Sequence, residues 1–199
     1  MFELKTYFAK SQKDIRLEFG TDIEVCERLH KYEREKLHMD MDDDTQLWNF
    51  VHFRDVDVIH SPMKITIKYK GESIIDLDNP SASGNGLWLD YLACLEKYMV
   101  NKRAVTLYGY ECEMSMTASG DNELKFCIYS AHFKEALISV VLPELEFVEA
   151  LLSELKHIWT KMEEHGLFET AARASTKNIG LGADIFKRIE QCELHIVKR

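Results

Sequence analysis

The side chains best equipped for chemistry are acidic, and they come in groups. In Met39-Asp40-Met41-Asp42-Asp43-Asp44, three aspartates (Asp40, Asp42 and Asp44) take the first, third and fifth positions of a calcium-binding loop. The correspondence ends there. Thr45 stands where the sharp turn of such a loop needs glycine, and Val51 stands where a bidentate glutamate closes the coordination shell. The segment therefore reads as an exposed acidic loop. Its carboxylates Asp40, Asp42, Asp43 and Asp44 are expected to act on a partner through their field rather than as metal ligands.

Asp55/Asp57 and Asp76/Asp78 have the spacing that turns both carboxylates to one side of a strand. With His60 near the first pair, they carry the chemistry of a small metal-dependent hydrolase, in which an ion lowers the pKa of a bound water. No His-x-x-x-His or His-Glu pattern accompanies them, and acidic strand ends are common on any surface. The expectation is therefore no metal and no cofactor, and the hydrolase is the alternative reading.

Other catalytic patterns are fragments. Glu123-Leu124-Lys125 copies half of a nuclease motif, and Glu3-Leu4-Lys5 copies it again, neither with an upstream Pro-Asp. No G-x-S-x-G elbow is present. Gly84-Asn85-Gly86 has the first two glycines of an anion loop but lacks the third and any following Lys-Ser/Thr. Cys112 and Cys127 fall on predicted strands, where a thiol packs as a small hydrophobe.

The formal charge is −9, from 34 Asp/Glu against 25 Lys/Arg, and it is spread along the chain rather than gathered in a tail. Such a surface repels phosphate backbones and anionic lipid, so neither nucleic acid nor membrane is expected as partner. No apolar run reaches the roughly 18 residues that a membrane span needs. The five cysteines are odd in number, widely spaced and without a C-x-x-C pair, which is the usage of reduced, cytoplasmic thiols.

The elements that must position these groups follow from periodicity. Phe2–Phe8 and Ile15–Phe19 read as two strands of a hairpin, residues 22–38 as a surface helix on Val25, Leu29 and Tyr32, and Trp48–Ile59 as a long strand. Lys64–Lys70 alternates cleanly, with Ile65, Ile67 and Tyr69 on one face, and Ser73–Leu77 follows a turn. After the Gly/Ser/Asn-rich loop 78–86 comes a helix over 87–100. Its stripe is Trp88, Tyr91, Leu92, Leu95 and Met99. Ala104–Tyr108, Glu111–Thr117, Leu124–Tyr129 and Ala136–Leu142 read as a meander. Pro143 opens the longest helix, whose predicted buried stripe is Leu145, Val148, Leu152, Leu155, Trp159 and Met162. A last helix spans Leu181–Cys192.

Strands interrupted by single helices, without regular β-α alternation, imply an α+β fold. The expectation is one domain over 1–199, a largely antiparallel β-sheet packed against two or three amphipathic helices. The matching function is a non-enzymatic, cytoplasmic protein-binding domain. An acidic inhibitor or immunity-type protein that neutralises a basic partner has this character, because charge complementarity raises on-rate and specificity.

Overall fold

A computed structural model describes residues 1–10, 12–53, 62–79, 83–109, 111–132, 135–166 and 181–197. Its fold is α+β, with antiparallel strands and six α-helices among the described residues.

The first sheet is organised by two long strands, β1 (Phe2–Ala9) and β3 (Pro62–Tyr69), which pair with Leu4 opposite Ile67 and Thr6 opposite Ile65. On the far side of β1 lies the short β2 (His38–Asp40), and beyond β3 lies β4 (Glu72–Ile75). A further short strand, β5 (Ser83–Asn85), pairs with the start of β3. The alternation of Lys64–Lys70 is realised here, since Met63, Ile65 and Ile67 are buried. The second sheet is the predicted meander: β6 (Arg103–Tyr108), β7 (Cys112–Ala118), β8 (Glu123–Ser130) and β9 (Ala136–Pro143), each antiparallel to the next. The described strands form two sheets, whereas the sequence reads first as a single largely antiparallel sheet, with a separate sheet from the N-terminal hairpin and residues 47–77 as its variant.

Two predicted strands are helices. Ile15–Phe19 lies in α1 (Gln12–Phe19), which precedes α2 (Ile23–Tyr32). The apparent alternation of Ile15, Leu17 and Phe19 is broken by burial, because Leu17 is 76% exposed while Ile15 packs with Leu29 and Leu37. Trp48–Phe53 lies in α3 (Asp44–Phe53), and the rest of that predicted strand falls outside the described residues. The reason is local. Asp43 accepts from the Gln46 backbone N–H at 3.0 Å, and the Gln46 side-chain amide donates back to it at 2.6 Å, which starts a helix.

Three long helices complete the core: α4 (Leu87–Asn101), α5 (Glu144–Glu164) and α6 (Leu181–Val197). All five predicted stripe residues of α4 are buried. Along α5 the buried arc is wider than predicted, adding Phe147, Leu151 and Ile158, and Leu145 at its edge is 51% exposed. One continuous apolar cluster joins Ile65 and Ile67 of the first sheet, Met114 and Phe126 of the second, and side chains from all three helices. All five cysteines are free thiols.

Trp159 is 2% exposed on the buried arc of α5. Trp159→Ala should cost about 3–5 kcal/mol in denaturant melts, whereas Leu145→Ala should cost less than about 1 kcal/mol. Equal costs would mean that α5 turns a different face inward. Burial pushes the Cys94 thiol up to about 12, so alkylation should reach the partly exposed Cys26 and Cys112 well before Cys94.

Candidate functional site

One flank of α5 meets β1 and the acidic loop, and that seam concentrates the polar groups of the fold. Thr6 is the only polar or charged residue that is fully buried among the described residues, at 2% exposure. Its hydroxyl accepts from the Trp88 indole N–H at 2.9 Å and donates to Glu154 Oε1 at 3.4 Å. Burial raises the Glu154 carboxyl to about 7, with Asp42 and Asp40 adding to the rise and His157 and the Thr6 hydrogen bond opposing it.

The acidic loop is placed by its methionines. Met39 and Met41 enter the core, which leaves the alternating aspartates outside it. Lys5 Nζ donates to Asp40 Oδ2 at 3.3 Å. Asp42 Oδ1 lies 2.8 Å from His157 Nε2, and Asp44 Oδ1 accepts from Lys161 Nζ at 2.9 Å, with His165 at 3.8 Å. Asp43 is the cap of α3. His157 and Lys161 on one face of α5, and His165 at its C-terminal cap, recur every four residues and so form a ladder facing the loop. The Asp42 carboxyl is held below its ordinary value chiefly by the hydrogen bond to His157, and that of Asp44 by the one to Lys161. The predicted exposed field is thus largely met by cations and imidazoles of the same chain.

The hydrolase candidates are only partly in view. Asp55, Asp57 and His60 lie outside the described residues. Asp76 and Asp78 follow β4, where Asp76 Oδ1 accepts from the backbone N–H groups of Asp78 at 3.0 Å and Asn79 at 2.9 Å. Asp78 accepts from Arg34 Nη1 at 2.8 Å. The pair therefore shapes a turn and anchors Arg34. Among the described residues, no group of three or more His, Cys, Asp or Glu is placed to hold a metal ion.

The G-x-G segment serves packing. A Cβ on Gly84 would lie 2.5 Å from Leu87 Cδ2 and 3.1 Å from the Gly109 Cα, so glycine permits a close backbone crossing. Asp90 in the first turn of α4 accepts from the Gly109 N–H at 3.0 Å. A carboxylate of the chain itself thus lies at this helix start.

On its other flank α5 forms a groove with α6, about 550 Å³ in volume. Leu152, Ile196 and Val197 line it with apolar surface; Glu149, Ser153, Lys156, His157, Thr160 and Glu193 supply the polar groups. Lys156 Nζ reaches Glu193 at 3.1 Å, and Arg188 holds Glu96 of α4 with two bonds of 2.7 and 2.8 Å, so α6 is tied to both neighbouring helices. His157 belongs to both the groove and the seam.

Sequence reasoning missed Thr6, Glu154, His157 and the groove. The available signal was weak: a glutamate at the margin of an otherwise apolar arc, whose partner Thr6 lies 148 residues away, and a histidine whose partner Asp42 lies 115 residues away. Comparison with protein-family models, curated proteins and solved structures gives no match for this chain.

Glu154 makes a pH prediction whose sign follows from its raised value. A carboxyl raised in the fold contributes stability that is fully present below its unfolded value and is lost as pH rises through about 7. Between pH 5 and pH 8, roughly, wild-type stability should fall by on the order of 2 kcal/mol from this group, allowing for its residual exposure. Glu154→Gln should flatten that slope in urea melts, and an unchanged slope would place the titrating group elsewhere. Asp42 and Asp44, held low, act oppositely: their contribution is present above the ordinary aspartate range and is lost at acid pH.

Proposed function

We propose that this chain is a non-enzymatic protein-binding module, an acidic inhibitor of the immunity type that neutralises a basic partner, and that the partner meets it at the α5–α6 groove. The observation that carries this reading is the pairing of an apolar floor with carboxylates at Glu149 and Glu193, on a chain of net charge −9. An apolar side chain of the partner would bury against Leu152, Ile196 and Val197, while a Lys or Arg beside it meets Glu149 and exchanges with Lys156 for Glu193. The surplus of negative charge steers approach. Asp40, Asp42 and Asp44 add less to that field than their number suggests, because Lys5, His157 and Lys161 oppose them; Asp43 extends it from the start of α3.

The test is affinity capture from the native host, with wild type and a Glu149→Lys, Glu193→Lys variant compared side by side. Wild type should retain a stoichiometric basic protein, with an on-rate that falls steeply as salt rises, and the variant should bind it at least tenfold more weakly. Equal binding by both would move the contact away from the groove. The absence of any stoichiometric basic partner would overturn the role.

A further inference from the structure

We propose that the outer face of the β6–β9 sheet docks a second copy of this chain, antiparallel and face to face, in a weak reversible dimer. The inner face of this sheet covers the core, but the outer face leaves Val105 at 49%, Leu107 at 69%, Leu137 at 37% and Val141 at 51% exposure. They form two pairs on the outer strands of that face, Val105 with Leu107 on β6 and Leu137 with Val141 on β9, and the β9 pair also borders a crevice against β4.

The register sorts that face into three rows. Arg103, Thr117, Lys125 and Val141 stand side by side at one end. Val105, Ser115, Cys127 and Ser139 form the middle row, and Leu107, Glu113 and Tyr129 the other end. The middle row is small and low, so another sheet can approach to the usual spacing of about 10 Å. Cations mark the first end, with Glu123 just beyond Lys125, while Glu113 marks the last, with Glu111 close by at the mouth of β7. Arg103 and Lys125 stand against Glu111, Glu113 and Glu123, so the patch carries little net charge on a chain of net charge −9, and like-charge repulsion between copies is low there.

Charge also selects the arrangement. A two-fold axis between the sheets and perpendicular to the strands lays the cationic row of one copy over the acidic row of the other. Glu113 of the second copy then faces Thr117, between Arg103 and Lys125, and Leu137 of the second copy faces Val141. An axis along the strands would instead lay the cationic row over the same row of the other copy, with Arg103 opposite Val141 and Lys125 opposite Thr117, and leave both cations without the acidic row to face. Four strands give a face roughly 15–20 Å wide and about 20 Å long, below the roughly 800 Å² per partner of a standard interface, which is why the dimer is weak.

Sedimentation velocity at low salt, from roughly 5 to 500 µM, should show monomer passing reversibly to dimer, and added salt should favour monomer. A variant with Arg103→Glu and Lys125→Glu is acidic at both ends; one with Glu111→Lys and Glu113→Lys is basic at both. Each alone should dimerise at least tenfold more weakly, and their equimolar mixture should recover dimer. Leu107→Lys, at a position already exposed, should weaken dimerisation without lowering the melting temperature. Monomer throughout the range, wild-type dimerisation by both charge variants, or a mixture that stays monomeric would each overturn the proposal.

Discussion

Three elements far apart in the chain are tied to one hydroxyl. Thr6 of β1 has a single O–H and two lone pairs; it gives the proton to Glu154 of α5 and accepts the indole N–H of Trp88 of α4. The buried Trp88 N–H would be left without this partner if Thr6 moved, at about 1–3 kcal/mol for a buried donor. Together with the apolar arc that α5 buries, the arrangement sets where α5 lies along β1. Once that is set, His157, Lys161 and His165 follow at intervals of one helical turn and meet Asp42 and Asp44. The ladder that holds the acidic loop is a consequence of the bond made one turn earlier.

The loop looks different in that light. In the sequence, Asp40–Asp44 is the densest negative charge; in the fold its carboxylates are engaged by Lys5, by a helix start and by the α5 ladder. These contacts are largely exposed, and each is weak in water. Their combined effect is to place the loop rather than to strengthen the protein much. The net charge of the chain is unaffected, so the long-range attraction on which the proposed function relies does not depend on this loop, and the contact proposed for a basic partner lies on the α5–α6 side. There carboxylates stand next to apolar surface, which binding can desolvate.

The parts that were legible in the sequence are those where one periodicity dominated. The stripe of α4, the alternation of β3 and the four strands of the meander each repeat long enough to exclude the other element type. The failures share a cause. Ile15, Leu17 and Phe19 alternate over too few residues to separate strand from helix, and packing against Leu29 decided for helix. Trp48–Phe53 is apolar almost without interruption, so the deciding signal was the Asp43 cap upstream, hidden inside what looked like a binding loop. Thr6, Glu154 and His157 were illegible for another reason. Each is an ordinary polar residue beside an apolar one, and only the tertiary approach of α5 to β1 makes them a cluster.

The claim that a buried hydroxyl–carboxyl contact seats α5 on β1 is tested most directly by a double-mutant cycle. Thr6→Val keeps the β-branched shape and removes the hydroxyl; Glu154→Met keeps much of the side-chain length and removes both carboxyl oxygens, whereas a Gln carbonyl would still accept from Thr6. Urea melts of wild type, both single variants and the double variant near pH 7 give the coupling energy. The account predicts coupling of about 1 kcal/mol or more, as for residues in contact within one network. Additivity to within about 0.3 kcal/mol, the behaviour of sites with no shared partner, would contradict it.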